Sequence, residues 1–359
     1  MAGGRHLETG TMTRRGMIGA AALAGLGLAG LSGCAGEGQQ LSLAIWPDYL
    51  GETTLEDFRK ATGITVSAAT FADNAELYAR MKSGASGYDL VVPSSHWVER
   101  MVREGMLARV SHGRVPNLAN LEAPFADLPY DPGNAHSVPY TWLALGLGYR
   151  KSRVARPPLG WKELLTGPAL AGRIALPADP ALLFRIAAKA LGFSANLFNP
   201  DRLKAAEALL AAALPKAKVL HRDGGQDLLL KGEVDLVVAW NGDLAQVALE
   251  DPDIGFAVPQ EGALLSCDCL CIPADARRPG NAHLLIDFLL GAQAGAGIAG
   301  HIWFPSPNEA ARALLPPDYR ANPVLYPPNR PKGVSEFIGD NPGIDAQFVA
   351  AMQRIAPGR

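Results

Sequence analysis

The sequence predicts an α/β protein of two lobes, each a mixed sheet covered by helices, with two crossover strands as the hinge. Three observations lead there. Beyond Gln39, short apolar runs alternate with amphipathic helical segments, the rhythm of a helix-covered parallel sheet. The ~325 residues that follow an N-terminal leader exceed what one core ordinarily organises. A late apolar strand after Pro259 is positioned to rejoin the first lobe, which makes the middle of the chain an insertion and leaves two strands crossing between lobes. Such a shape opens and closes on a ligand.

The elements run in order. Leu41 to Ile45 reads as a strand, Thr53 to Thr62 as a helix stopped by Gly63, and Ile64 to Ala68 as a second strand. Asn74 to Lys82 is helical, Asp89 to Val92 is a buried strand, and Ser95 to Arg103 is a helix ended by Gly105. A proline-rich, irregular stretch from Val115 to Pro139 closes this part. In the next region Pro200 to Leu214 is rich in alanine and leucine and reads as a helix, and Val234 to Trp240 is an apolar strand. A strand through the cysteine cluster follows, then helices at Ala282 to Leu290 and Asn308 to Leu315. The expected organisation is a signal peptide at 1–33, a tether at 34–40, the first part of lobe 1 at 41–142, lobe 2 at 143–260, and the second part of lobe 1 with C-terminal helices at 261–359.

The leader has the layout of a bacterial lipoprotein signal. Arg14 and Arg15 precede the apolar stretch Met17 to Gly30, and Leu31-Ser32-Gly33-Cys34 ends it with small residues before the cysteine that would carry lipid. The apolar part is shorter than the ~20 residues of a spanning helix. Thr13-Arg14-Arg15-Gly16-Met17-Ile18 is similar to a twin-arginine export signal, and Met12 just ahead of it is an alternative start. The expected location is extracytoplasmic, in the periplasm, with the membrane reached only through lipid on Cys34.

Charge is nearly balanced, with 33 basic and 35 acidic residues, so no basic footprint for nucleic acid is present. Four cysteines do not make a disulfide framework. On a strand, Cys267, Cys269 and Cys271 would point to one face at intervals of ~6.6 Å, suited to burial as small hydrophobes. Neither a metal nor a cofactor is expected.

Chemistry concentrates at strand ends. Ile45-Trp46-Pro47-Asp48-Tyr49 places an indole, a carboxylate and a phenol at the C-terminal edge of a parallel sheet, where such sheets bind ligands. Trp240-Asn241-Gly242-Asp243 repeats the pattern, and Asp268 shares a strand face with Ser266, opposite the cysteines. An acid inside a run of Leu, Cys and Ile must find a partner or stay neutral. Two indoles and three acids suit an ammonium group, through cation–π attraction of about 0.5 to 2 kcal/mol and charge-assisted hydrogen bonds of roughly 1.5 to 3. Trp46 and Trp240 also read as core residues, and Asp48 and Asp243 as helix caps.

From Leu43 nearly to the C-terminus, the segments IWPDYL, ATGITV, SGYDLVVPSSHWVERMVREGML, SVPYTW, WNGD, CDCLCIPADA and FPSPNEAARALL occur in an order and spacing that resemble the periplasmic spermidine and putrescine binding proteins of ABC importers. The resemblance implies a periplasmic binding protein-like II fold whose cleft grips a polyamine, a monomer, and delivery to a membrane permease. It implies ligand contacts at Trp46, Asp48, Tyr49, Ser94, His96, Trp240, Asp243 and Asp268. The chain departs from the pattern at Ser266, where an aromatic is common, at Phe304, where a tyrosine is common, and at Leu182, where a glutamate is expected with Asp179 close by. Retention of Asp48, Asp243 and Asp268 favours a diamine such as putrescine over spermidine.

No enzyme is expected. His96 beside Ser94 and Ser95 is the only local nucleophile–base pairing and lacks a third, orienting group, and there is no phosphate-cradling glycine loop. The alternatives are the same fold with another small cationic or amino-acid ligand, or a polyamine-sensing lipoprotein without a transporter.

Overall fold

The computed structural model describes residues 39–84, 86–154, 156, 160–222, 225–327 and 334–358. The leader, Cys34 and most of the tether lie outside them. The first half begins with β1 (Gln40–Ile45), α1 (Thr54–Thr62), β2 (Thr65–Thr70), α2 (Asn74–Lys82), β3 (Leu90–Val91) and α3 (Ser95–Arg103). Strand β1 pairs in parallel with both β2 and β3, the β-α-β-α-β unit that the alternation predicts. Gly63 ends α1 in the left-handed conformation at φ 74, and its N–H bonds to the carbonyl of Arg59, closing the last turn without the Cβ clash another residue would bring.

Short 3-10 turns fill 112–134, and then a long strand, β4 (Ser137–Arg150), runs from one half of the molecule to the other. It begins inside the stretch read from sequence as irregular, and Pro139 sits there beside a register shift between 139 and 141. A proline donates nothing to the ladder, and the irregularity accommodates it.

The second half contains α4 (Trp161–Thr166), β5 (Ile174–Pro177), α5 (Pro180–Ala190), α6 (Pro200–Ala213), β6 (Val219–His221), α7 (Gly225–Leu230), β7 (Leu236–Trp240), α8 (Asn241–Glu250) and β8 (Ile254–Ala257). Strand β9 (Leu264–Cys271) then returns antiparallel along β4, from Leu145↔Leu264 to Ser137↔Cys271. The remainder is α9 (Pro279–Leu290), α10 (Ala292–Ile302), α11 (Glu309–Leu314), α12 (Pro317–Arg320), β10 (Glu336–Phe337) and α13 (Pro342–Ile355).

The sheet order β2-β1-β3-β9-β4-β7-β5-β6, with β10 on β9 and β8 on β4, places the two crossing strands at its centre. The core divides accordingly. Leu43, Phe58, Leu90, Leu285 and Ile286 pack under the first half, and Leu147, Trp161, Phe184, Leu236 and Phe348 under the second. Each such side chain contributes about 1.5–3 kcal/mol on burial. The stretch 261–359 does not stay with the first half. Helices α9 and α10 do, whereas α13 packs on α5 and α6 because Phe348 stacks on Phe184 with ring centroids 4.9 Å apart.

On β9 the three cysteine side chains alternate with Asp268 and Leu270, fully buried with Trp142, Met101 and Val98. Burial pushes all three thiols up from their ordinary pKa. Tyr130 Oη lies 3.3 Å from Cys269 Sγ. Among the described residues no group of three His, Cys, Asp or Glu side chains is placed to hold a metal ion.

Candidate ligand-binding cleft

Asp268 is the centre of a buried polar cluster. It lies on β9 opposite Thr141 of β4, only 4% exposed, on the face opposite the cysteines. Tyr49 Oη donates to its Oδ2 at 2.7 Å, Ser94 Oγ donates to its Oδ1 at 2.7 Å, and Thr141 Oγ1 donates to Oδ2 at 3.5 Å. Burial raises the carboxyl pKa, and the hydroxyls of Tyr49, Ser94 and Thr141 oppose that rise. Its hydrogen-bond donors among the described residues are these neutral hydroxyls. A carboxylate held by hydroxyls alone keeps its charge uncompensated and so favours an incoming cation.

The donors are themselves fixed. Tyr49 follows a turn in which Asp48 adopts φ 53, a left-handed conformation that aspartate tolerates better than most residues. That turn carries the Tyr49 ring inward, where Tyr140 Oη donates to the Tyr49 carbonyl at 2.5 Å. Ser94 precedes α3 without capping it by its side chain. Asn74, at the start of α2, instead clamps it: Ser94 N donates to Asn74 Oδ1 at 2.9 Å and Asn74 Nδ2 donates to Ser94 Oγ at 3.0 Å. With its lone pair engaged by Asn74, the hydroxyl hydrogen is directed at Asp268.

The second half contributes Trp240, at the end of β7, and the first turn of α8. Asn241 is fully buried and accepts from Ala144 N at 2.9 Å, tying this turn to β4. Gly242 lies directly beneath the ring of Phe304, since a Cβ there would stand 2.6 Å from Phe304 Cδ1. Phe304 meets Tyr49 edge-on with centroids 5.4 Å apart. Asp243 is near enough for its charge to add to the rise in the Tyr49 phenol, which burial, Asp268 and Asp243 all push upward. Trp46, Tyr49, Leu143, Trp240 and Phe304 share one apolar cluster. Trp46 packs on Phe71 at 4.5 Å, and its Nε1 is buried without a hydrogen-bond partner among the described residues.

The structure thus brings Tyr49, Ser94, Asp243, Asp268 and Phe304 together, with Trp46 and Trp240 in the same apolar cluster. The other sequence-predicted residues sit differently. Asp48 is exposed on the turn and caps no helix, because α1 begins only at Thr54. Asp179 is exposed and caps α5, accepting from Ala181 N at 2.7 Å. Ser266 is buried on the Asp268 face with its Oγ 3.4 Å from Ser95 Oγ, so the strand carries a small hydroxyl at this position. His96 is held neutral, its pKa lowered to about 3 by burial and by Arg185, against Asp340, with Arg100 adding to the depression. Sequence reasoning missed Asn74, Thr141, Tyr140 and Gly242. Thr141 lies in the SVPYTW segment, but its place opposite Asp268 follows only from the β4–β9 register; all four depend on contacts between distant segments.

The model of the family described as bacterial extracellular solute-binding protein matches residues 53–327. The chain is 32% identical over 316 residues to the spermidine/putrescine-binding periplasmic protein of Escherichia coli K12, covering 88% of this chain and 90% of that one. It is 30% identical over 301 residues to the putrescine/cadaverine-binding protein of Pseudomonas aeruginosa PAO1, covering 80% and 85%. In fold it is similar to the substrate-binding protein of a spermidine/putrescine ABC transporter from Streptococcus pneumoniae, with TM-score 0.81 at 24% identity over 88% of this chain and 98% of that one. With its two halves joined through β4 and β9 and a family model that matches residues 53–327, the chain belongs to the bacterial extracellular solute-binding protein family.

Proposed function

We propose that this protein captures a polyamine, with a diamine such as putrescine preferred, and hands it to the permease of an ABC importer. The observation that carries the reading is Asp268: a buried carboxylate, approached by three hydroxyls, on a strand that links the two halves. One ammonium binds Asp268. The methylene chain lies along Trp46, Trp240 and Phe304, and Asp243, with Asp48 at the rim, receives the other end. Ser266 and Leu182 supply neither an aromatic wall nor a carboxylate, which removes the contacts a third amine would use. The ligands for which the two relatives are named, spermidine, putrescine and cadaverine, agree with this chemistry.

No bond is made or broken in this account; the work done is closure of two lobes about β4 and β9. The chain acts as a monomer, outside the cytoplasm, tethered through lipid on Cys34. A dissociation constant near micromolar corresponds to about 8.2 kcal/mol, which two charged contacts and aromatic stacking supply after ordering costs. The test is a thermal-shift panel of putrescine, cadaverine, spermidine, agmatine and arginine. Larger stabilisation by the two diamines than by spermidine supports the reading, and stabilisation by none of the five overturns it.

A further inference from the structure

A third connection joins the halves, and it is charged. After β10 the chain passes through Ile338, Gly339 and Asp340 into α13. The second half holds this passage firmly: Asn196 Nδ2 donates to Phe337 O at 2.8 Å, Gly339 N donates to Asn196 Oδ1 at 2.9 Å, and Arg185 Nη2 donates to Gly339 O at 3.1 Å and to Asp345 Oδ1 at 3.0 Å. The first half packs Tyr130 on Phe337, with ring centroids 5.6 Å apart, and holds Asp340 through helix α3. Asp340 N donates to Glu99 Oε2 at 2.9 Å, Arg100 Nε donates to Asp340 Oδ1 at 2.9 Å, and Arg103 Nη2 pairs with Asp340 Oδ2. The Asp340 side chain is 1% exposed. Arg100 is set further by lying over the Trp97 ring, 4.3 Å from its centroid.

Helix α3 has a second role at its other end. Ser94, just before it, donates to Asp268, and Ser95, its first residue, accepts from Cys267 N at 3.4 Å. A nine-residue helix is a rod of about 13 Å. One rigid element therefore touches the ligand carboxylate at its start and the second half's Asp340 one to two turns later. His96, on the same helix, lies within electrostatic reach of both Arg185 and Asp340.

We propose that Asp340 is an interlobe latch: its pairs with Arg100 and Arg103 hold the lobe arrangement of this structure, without touching ligand, and so set how slowly ligand leaves. This inference rests on the two-lobed fold and not on the identity of the ligand. Separating the halves about β4 and β9 alone would pull α3 from Asp340 and exchange its pairs with Arg100 and Arg103 for water, a step that has to be completed before the lobes part and so retards opening.

The test compares the wild type with Asp340→Asn and Arg103→Gln. The radius of gyration of each unliganded protein is measured by small-angle scattering, and putrescine release is followed by stopped-flow tryptophan fluorescence. The latch predicts a larger radius for both variants and dissociation about tenfold faster, with association little changed. Wild-type radius and wild-type release in both variants would overturn it. Circular dichroism controls for folding; if Asp340→Asn misfolds, Arg103→Gln, whose arginine side chain is half exposed, decides alone. If putrescine binds none of the proteins, the polyamine reading fails while the radius still decides the latch.

Discussion

Tyr49 and Asp268, 219 positions apart in sequence, meet at 2.7 Å with the phenol donating to the carboxylate. The contact joins the turn after β1 to the crossing strand β9, and Ser94 makes the matching contact to the other carboxylate oxygen. Removing one donor from a buried acid leaves it less solvated by protein and raises its pKa further.

Tyr49→Phe should therefore weaken diamine binding about fivefold, the effect of roughly 1 kcal/mol for one hydrogen bond. The pH profile carries the sharper signature. Ligand needs the Asp268 carboxylate, whose pKa is raised by burial, so affinity falls as pH drops through that raised value, above the range of an ordinary carboxylate near 4. In Tyr49→Phe the acid limb should move to still higher pH. Calorimetric titration between pH 4 and 8 measures both, and an unmoved limb would separate Tyr49 from the charge state of Asp268.

His96 carries a prediction for stability. Its folded pKa of about 3 lies below the 6.5 of an exposed histidine, because burial and Arg185 disfavour the imidazolium. The stability that this difference contributes is present above pH 6.5 and is lost as pH falls through the folded value. His96→Asn should flatten the decline of melting temperature between pH 6.5 and 4 relative to wild type. Parallel curves would show that the neutral imidazole is not linked to folding.

The thiols of Cys267, Cys269 and Cys271 should not react with Ellman's reagent in the native protein. All three are fully buried and their pKa values are raised by burial, so thiolate is scarce at neutral pH. Reaction should appear only with denaturant, in step with loss of circular dichroism. Rapid native reaction would mean that the hinge strands open locally.

Much of this architecture is legible in the sequence where pattern is local. Asn74–Lys82, capped by Asp73, and Ser95–Arg103 are read to the residue because 3.6-residue periodicity acts within each helix. Asp268 stands out because an acid amid Cys and Leu requires an explanation. What escapes is set by distant contacts. Helix α10, AQAGAGIAGHI, is glycine-rich and has poor helical propensity, yet forms because Ile298 and Ile302 are buried beside α9. The placement of α13 on the second half depends on Phe348 meeting Phe184. In the site, Asn74 is visible in sequence only as the start of a helix; its clamp on Ser94 exists only once α2 and the β3–α3 turn are adjacent. Asp179 and His96 show the reverse, residue types suited to binding that the fold engages in a cap and beside a buried arginine.

Isothermal titration of putrescine into the wild type and Asp268→Asn at pH 7.5 decides whether the Asp268 carboxylate binds the ammonium group. One site per chain with a dissociation constant near micromolar is expected, and affinity at least tenfold weaker in Asp268→Asn, since a tenfold loss is only 1.4 kcal/mol and a charged hydrogen bond contributes about 1.5 to 3. Equal affinity in the two proteins would contradict it.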